Sequence, residues 1–258
     1  MRTANPALSD RIFIEEAQRN PAVDSNLMTI QGTVNKSIFL LSLLVMSAGF
    51  VAITLLQTSS AGADGVLVVN SPLTYPLMLA GSIGSLIVVI VAMFKKSLSP
   101  VLAPVYALLE GLFIGAISII METVYPGIVL QASMITFGTL FGLLGAYKSG
   151  LIRATENFKL GVAAATMGIF LAYIANFVMG FFGASIPMIH EGGLFGIVFS
   201  LFVVVIASLN LVLDFDFIEN GEKQGAPKYM EWYASLGLMV TLVWLYIEVL
   251  RLLSKLRD

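Results

Sequence analysis

Residues 194–213 read LFGIVFSLFVVVIASLNLVL, a run of 20 residues without a charged side chain. A helix needs about 20 apolar residues to cross the hydrocarbon core of a bilayer, which is about 30 Å thick. The backbone finds no water inside the hydrocarbon, so a single run satisfies its own N–H and C=O groups only as an α-helix. This stretch therefore predicts a membrane-spanning helix.

Six further apolar runs of spanning length occur along the chain. Together with the first they lie at about Ile38–Gln57, Leu73–Phe94, Val101–Met121, Ile128–Tyr147, Leu160–Phe182, Leu194–Leu213 and Tyr233–Leu253. They are about twice as long as a transmembrane barrel strand, which indicates helices. Only 12% of the 258 residues are charged, against about 25% in an ordinary soluble domain. The sequence predicts an all-α polytopic membrane protein, with a polar N-terminal tail over residues 1–34 and seven transmembrane helices over residues 35–258.

The charge balance and the scarcity of reactive residues exclude several classes of function. Lys and Arg number 14 against 16 Asp and Glu, a net charge of -2, whereas binding to a phosphate backbone requires a positive excess. The chain has no Cys and one His, His190, in a loop. A lone histidine is more often solvated than a ligand, because a metal site needs several ligands. We expect no nucleic-acid partner, no enzymatic reaction and no cofactor.

Positive charges predict the orientation of the helices, since Lys and Arg are retained on the cytoplasmic side. One side holds 11 of them, namely Arg2, Arg11, Arg19, Lys36, Lys95, Lys96, Lys148, Arg153, Lys159, Lys223 and Lys228. Loops 58–72, 122–127 and 183–193 hold none, so the N-terminus is expected in the cytoplasm. Seven crossings then place Arg251, Lys255 and Arg257 outside, against the rule. A last segment that re-enters the membrane would return them to the cytoplasm.

Glu110 lies near the middle of the third run. An ionisable side chain at this depth is costly unless it faces a partner, a cavity or water. Gly111 and Gly115 follow it and would let another helix backbone approach closely. Two interpretations stay open for Glu110: a protonated structural carboxyl group bound to a neighbouring helix, or a member of an ion or proton path.

Asp214 and Asp216 close the sixth run, and Asn210 precedes Asp214 by one turn. Residues two apart on a helix point about 200° away from each other, so at most one aspartate faces the interior. Asn210 shares the face of Asp214, which makes Asp214 the inward candidate and leaves the other aspartate in solvent. A functional role is favoured, because acids at a helix C-terminus oppose the helix dipole. Their hard oxygen atoms are also the candidate calcium ligands.

Glu231 opens the last run, and the loop that joins the last two runs is short. Glu231 is therefore expected at about the depth of Asp214 and Asp216, where the three could form a carboxylate cluster. Such a cluster cannot keep all its charges in a low dielectric, so it would share a proton or hold a cation. Lys228 could instead neutralise Glu231 as a plain ion pair.

Several motifs taken together resemble the Bax inhibitor-1 family in its bacterial branch. The resemblance runs from about Met28 to the C-terminus, and it is carried by Met28–Lys36 (MTIQGTVNK), Ala107–Gly115 (ALLEGLFIG), Tyr125–Gln131 (YPGIVLQ), Ser149–Arg153 (SGLIR), Asn210–Asp216 (NLVLDFD) and Gly225–Trp232 (GAPKYMEW). The resemblance implies seven helices, with a central last helix wrapped by the other six. It also implies a pH-sensitive calcium leak governed by two aspartates, one at the end of the sixth helix and one inside the last.

Carried onto this chain, the first family aspartate falls on Asp214 or Asp216. The second falls on Thr241, a neutral residue, so Glu231 or the Asp214 and Asp216 pair would have to substitute for it. Glu110 matches an acidic residue in a Glu-Gly-Leu motif of the family, which favours a functional role for it.

Two functions of different classes are expected from these residues. The first is a pH-sensitive calcium or cation leak channel in a bacterial inner membrane, gated by protonation of acidic residues at the cytoplasmic end of the sixth helix. The alternative is a regulatory membrane protein whose N-terminal tail binds a membrane protease or a stress-response component. A proton-coupled transporter is disfavoured, because inverted repeats and broken midplane helices are not evident.

Overall fold

The computed structural model describes residues 27–58, 60–61, 67–69, 71–183 and 193–257. Within these residues lie seven helices that are long and apolar enough to cross a membrane. They are α1 (Ile30–Gln57), α2 (Thr74–Phe94), α3 (Ser99–Val124), α4 (Ile128–Lys148), α5 (Glu156–Phe181), α6 (Leu194–Lys223) and α7 (Met230–Arg257). Two antiparallel strands of two residues each, β1 (Ser60–Ala61) and β2 (Leu67–Val68), lie between α1 and α2, and a 3₁₀ turn, Lys96–Leu98, precedes α3. The predicted all-α polytopic fold is confirmed.

Helix α1 begins at Ile30, eight residues before the predicted run and inside the segment assigned to the polar tail. The cause is local. The hydroxyl group of Thr29 accepts a hydrogen bond from the backbone N–H of Gly32 at 2.9 Å, which satisfies one of the free donors at the helix start. A threonine followed by a helical run was a readable N-cap signal.

Helix α6 continues to Lys223, about three turns beyond the predicted end. The extension is stabilised because Phe217 and Ile218 are buried, and because Lys223 pairs with Glu219 one turn away on the helix. Asp214 therefore lies inside the helix and not at its C-terminus. The argument from the helix dipole, which favoured a functional role for the two aspartates, does not apply.

Helix α7 is continuous over its 28 residues. At 1.5 Å per residue it is about 42 Å long, which exceeds the thickness of the hydrocarbon core. A re-entrant last segment would need a break in the helix, and residues 230–257 have none. Half of the most apolar stretch of α7 is buried, as in α3 and α6, compared with 11% in α5. α7 is thus one of the most enclosed helices, as a central position requires.

The described residues fall into two compact units. The N-terminal unit contains residues 27–129 and 218–240, and the C-terminal unit contains residues 130–217 and 241–257. The N-terminal unit contains α1, α2 and α3, together with the adjoining ends of α4, α6 and α7. α5 and the greater part of α4 and α6 lie in the C-terminal unit.

Close helix packing in the N-terminal unit depends on glycines of α3. A Cβ atom added at Gly111 would lie 2.6 Å from the carbonyl oxygen of Leu44, and one at Gly115 would lie 2.5 Å from that of Ala48. The predicted close approach of another backbone to these two glycines is confirmed, and the approaching helix is α1. Across this contact, the hydroxyl group of Ser47 donates to the carbonyl oxygen of Leu108 at 2.8 Å.

Gly138 and Gly142 of α4 behave differently. The glycine pairs Gly81/Gly84 and Gly138/Gly142 in the sequence both predict small-residue helix contacts. Gly81 and Gly84 of α2 do lie close to atoms of α3, but a Cβ atom at Gly138 or Gly142 would meet no atom of the described residues within 4 Å. For Gly138 and Gly142 the prediction is wrong, because the two glycines lie on the exposed side of α4. In the C-terminal unit the apolar packing is instead made by α5 and α6, where Val162 contacts Leu213 and Ile169 contacts Val203.

The contrast between these glycines gives a stability prediction. Gly115→Ala should lower the free energy of unfolding by about 1–3 kcal/mol, as overpacking does, because backbone atoms of Ala48 must move. Gly138→Ala should be neutral or slightly stabilising, because the methyl group enters open space and alanine favours the helix. Thermal unfolding of both variants in the same detergent measures the difference. Equal midpoints would contradict the packing described for α1 and α3.

Candidate functional site

Asp214 lies in the C-terminal unit, on the buried side of α6. Its residue surface is 3% exposed, and its carboxyl group is hydrogen-bonded to the side chain of Thr241 on α7. The second carboxyl oxygen, Oδ2, has no hydrogen-bond partner among the described residues. Most buried polar atoms in proteins are hydrogen-bonded, and an exception calls for an explanation such as a water molecule, an ion or a functional role.

Asn210 extends the polar surface by one turn. Its side-chain amide group donates to the hydroxyl oxygen of Thr166 on α5 and to the backbone carbonyl oxygen of Ile206, both at 2.8 Å. Two polar contacts between helices therefore lie one turn apart on α6, one between Asn210 and Thr166 of α5 and one between Asp214 and Thr241 of α7. Asn210 and Asp214 thus lie on one face of α6, as their spacing of four residues predicted.

Asp216 points elsewhere, as the angle between the two aspartates requires. Its side chain is 18% exposed and forms an ion pair with Lys159 of α5 at 2.7 Å, and the hydroxyl group of Tyr147 lies 3.5 Å from Oδ1. The prediction that this second aspartate stands in solvent is wrong, because α5 brings a cation to it. Lys159 is itself buried, although its sequence position indicated only one of the positive charges on the cytoplasmic side.

Glu231 is fully buried in the N-terminal unit, and its partners come from the start of α1. The backbone N–H and the hydroxyl group of Thr29 both donate to Oε1 at 3.0 Å, and the ammonium group of Lys36 pairs with Oε2. Gly32 lies so close to this carboxylate that a Cβ atom there would collide with it. The neutralising lysine is Lys36 and not Lys228, which is exposed.

The backbone just before α1, at Leu27 and Met28, pairs with the backbone of the connection between α6 and α7. The N–H of Met28 donates to the carbonyl oxygen of Ala226 at 2.7 Å, and Leu27 forms an antiparallel bridge with Pro227. The N–H of Ile30 donates to a carboxylate oxygen of Glu222 at 2.9 Å. Two glutamates and two backbone contacts thus hold the beginning of α1.

Glu110 is buried in the N-terminal unit, where it is hydrogen-bonded to the side chain of Ser85 on α2. The hydroxyl group of Ser85 also lies 3.1 Å from the carbonyl oxygen of Ser82. A hydroxyl group has one proton to donate, so the carboxyl group of Glu110 and the carbonyl oxygen of Ser82 compete for the proton of Ser85. Ser85 lies on α2 and Glu110 on α3, so Glu110 does contact a neighbouring helix, as its interpretation as a structural carboxyl group required.

A further charged cluster lies near the C-terminal end of α7. Arg251 donates from Nη1 to both carboxylate oxygens of Glu248, at 3.1 and 3.2 Å, and to the hydroxyl oxygen of Tyr173 on α5 at 2.6 Å. Tyr173 in turn donates to Glu248 at 2.9 Å. The sequence analysis missed this cluster, although the spacing of three residues between Glu248 and Arg251 was visible.

The candidate residues thus have separate partners. No group of three or more His, Cys, Asp or Glu side chains within the described ranges is arranged to hold a metal ion. His190 lies outside the described residues.

Seven spanning helices with buried polar contacts between them define a polytopic integral membrane protein. The sequence model of one family, described as "Bax inhibitor 1 like", matches residues 5–258. The chain therefore belongs to the Bax inhibitor 1-like family, as its motifs indicated. No curated protein and no solved structure matches the chain.

The contact between Asp214 and Thr241 bears on the family aspartates. Thr241 occupies the position at which the resemblance places the second aspartate, and it is hydrogen-bonded to Asp214. Asp216 instead faces Lys159. Of the two candidates for the first family aspartate, Asp214 is the one that contacts Thr241.

The ion pair between Lys36 and Glu231 gives a second stability prediction. Glu231→Gln should lower the free energy of unfolding by about 3–5 kcal/mol, because removing one partner leaves the other charge uncompensated in a buried place. The control is Glu219→Gln, which breaks the exposed pair with Lys223 and should change stability by about 0–1 kcal/mol. Denaturant or thermal unfolding in detergent measures both. Equal losses would show that Glu231 does not hold α1.

Proposed function

We propose that this protein is a pH-sensitive cation leak that passes calcium across a bacterial inner membrane, with its N-terminus in the cytoplasm. Protonation of Asp214, at the cytoplasmic end of the path, changes how α7 packs against α6. The observation that carries the proposal is the buried carboxyl group of Asp214, which has one oxygen bound to Thr241 and the other without a partner among the described residues. Membership in the Bax inhibitor 1-like family supports it.

The polar contacts around Asp214 give the proposal a physical mechanism. An ionised carboxyl group only accepts hydrogen bonds, whereas a protonated one also donates. Uptake of one proton therefore changes both the charge at Asp214 and the contact that it makes with Thr241. Because Thr241 lies on α7 and Asp214 on α6, the change acts on the packing of these two helices within the C-terminal unit.

The oxygen atoms at this place suit calcium, which binds hard oxygen ligands. Asn210, Thr166 and Thr241 contribute neutral amide and hydroxyl groups, and Asp214 contributes the single carboxylate of this group. Calcium affinity depends on the number of charged ligands, so a site with one carboxylate holds the ion weakly. Weak binding suits a leak, because an ion that binds tightly does not leave.

The predicted orientation places three positive residues at the outer end of α7, and each of them binds another residue there. Arg251 pairs with Glu248, the ammonium group of Lys255 donates to the carbonyl oxygen of Gly196 at 3.2 Å, and Arg257 donates to Gln131 at 2.8 Å. These contacts give the three cations a structural role at the end of a full crossing. They support the orientation, although three positive charges at the outer end run against the rule that Lys and Arg stay in the cytoplasm.

Calcium flux into liposomes tests the proposal across a series of pH values. The unchanged protein should pass calcium at a rate that depends on pH, and Asp214→Asn should remove the pH dependence, because an amide group does not take up a proton in this range. Glu219→Gln is the matched control, since it removes a carboxylate from the exposed part of the same helix, and it should keep the pH dependence.

Equal calcium flux with and without the protein at every pH would rule the leak out. Flux whose pH dependence survives in Asp214→Asn would place the sensor elsewhere.

A second candidate function is supported by the backbone contacts between the chain before α1 and the connection between α6 and α7. A regulatory protein that binds a membrane protease or a stress-response component through its N-terminal tail needs a mechanical link from the tail to the helices. The contacts of Leu27 and Met28 with Pro227 and Ala226 offer such a link to the connection between α6 and α7.

Deletion of residues 2–26 separates the two candidates, because it leaves Leu27 and Met28 with their backbone partners. A leak channel should keep its calcium flux after the deletion, since the polar groups around Asp214 are intact. A tail-dependent regulator should lose its partner in a pull-down from the same cells. Loss of flux with an unchanged thermal unfolding midpoint would contradict a leak that is independent of the tail.

A further inference from the structure

The cluster near the C-terminal end of α7 is not used by the proposed mechanism, yet it contains a buried carboxylate. We propose that Glu248 is a second cation-binding carboxylate on the path and that Arg251 is a tethered cation that occupies it. The inference rests on the proposed function, because it extends the path from Asp214 to the far end of the same helix pair.

The geometry of the pair is that of an occupied cation site. One guanidinium nitrogen of Arg251 lies 3.1 and 3.2 Å from the two carboxylate oxygens of Glu248, so a single positive group bridges both oxygens. Tyr173 adds a hydroxyl group on the same carboxylate at 2.9 Å. The Glu248 side chain is 2% exposed, whereas that of Arg251 is 35% exposed. The cation can therefore move into solvent, and the carboxylate cannot.

The position of Glu248 on α7 connects it with Asp214. Thr241, Glu248 and Lys255 are spaced seven residues apart, so they lie along one side of the helix over about 21 Å. Within the C-terminal unit, Thr241 is bound to Asp214 and Lys255 is bound to Gly196. Both ends of this side of α7 thus contact α6, and Glu248 lies midway between the two contacts.

Ser200 of α6 is an independent sign that this end holds a ligand. Its residue surface is 1% exposed, and its hydroxyl oxygen has no hydrogen-bond partner in the described part of the chain. Ser200 lies one turn from Gly196 and fourteen residues from Asp214, on the same face of α6. A buried hydroxyl group of this kind is satisfied by water or by an ion.

The stretch between the two polar ends is apolar. Val203, Ala207 and Leu211 of α6 are fully buried between Ser200 and Asp214, and so is Leu245 of α7, between Thr241 and Glu248. An apolar constriction excludes water and closes a path until its walls separate. The two carboxylates therefore lie at opposite ends of a buried apolar segment.

The charges of the cluster oppose the entry of a further cation. Glu248 contributes one negative charge, whereas Arg251 and Lys255 contribute two positive charges. A guanidinium group stays protonated under all ordinary conditions, so acidification does not release Arg251. If the guanidinium group of Arg251 moved away, the carboxylate of Glu248 and the ammonium group of Lys255 would remain. An entering cation would then meet less electrostatic repulsion.

The test compares calcium flux in liposomes at one pH for the unchanged protein and Arg251→Gln. The variant should pass calcium several-fold faster and should keep the pH dependence that belongs to Asp214. Glu248→Gln combined with Arg251→Gln should lose this gain, because the carboxylate is gone. The control is Arg257→Gln, whose residue contacts Gln131 and lies outside the cluster, and its flux should stay unchanged.

A structural ion pair would give another result. Arg251→Gln would then lower the amount of folded protein without raising the flux per folded molecule, which overturns the inference. A second measurement holds even if the variants differ in stability, because the chain has no cysteine. A single Ser200→Cys substitution makes this position reactive toward small cationic and anionic thiol reagents.

With Arg251→Gln added, the ratio of cationic to anionic labelling at residue 200 should rise several-fold, because Glu248 loses its tethered cation. An unchanged ratio overturns the inference. Ser208→Cys is the control, since the hydroxyl group of Ser208 is bound to its own helix at 2.7 Å, and its labelling ratio should not respond.

The two proposals fail in different ways. Calcium flux through the unchanged protein without a gain in Arg251→Gln overturns the second site alone. No flux through the unchanged protein or through Arg251→Gln overturns the leak itself, and the labelling ratio then decides whether Glu248 attracts cations.

Discussion

The polar side chains of α7 hold the helices of both units, because a helix in lipid has no water with which to satisfy them. In the N-terminal unit, Glu231 binds Thr29 and Lys36, and Ser235 donates to the carbonyl oxygen of Glu231 within its own helix at 2.7 Å. In the C-terminal unit Thr241, Glu248 and Lys255 bind side-chain or backbone atoms of other helices. α7 therefore makes polar contacts with other helices in both units. On the facing helix α6, one carboxyl oxygen of Asp214 and the hydroxyl group of Ser200 are buried without a hydrogen-bond partner among the described residues.

Much of the fold could be predicted from the sequence, because the requirements of the bilayer are strict. Each apolar run became a helix, and the angle between Asp214 and Asp216 correctly placed only Asp214 on the buried side. The glycines after Glu110 were correctly predicted to admit a neighbouring backbone. The same reasoning was wrong at Gly138, since spacing alone does not say which face of a helix meets another helix and which meets lipid.

The partners of the charged residues could not be predicted, because they depend on which helices become neighbours. Lys159 and Lys36 were both counted as cytoplasmic charges, yet they form ion pairs with Asp216 and Glu231. The end of α6 was also set too early, since hydropathy falls at Asp214 whereas burial continues through Phe217. The apolar helices were thus readable from the sequence, and the pairing of side chains between helices was not.

Infrared difference spectroscopy in lipid tests the central claim most directly, because the C=O stretch of a protonated carboxyl group reports on proton uptake itself. The account predicts a carboxyl band that changes with pH in the unchanged protein, is absent in Asp214→Asn and persists in Glu110→Gln. The same pH-dependent band in Asp214→Asn would contradict the account, since the proton would then bind at another residue.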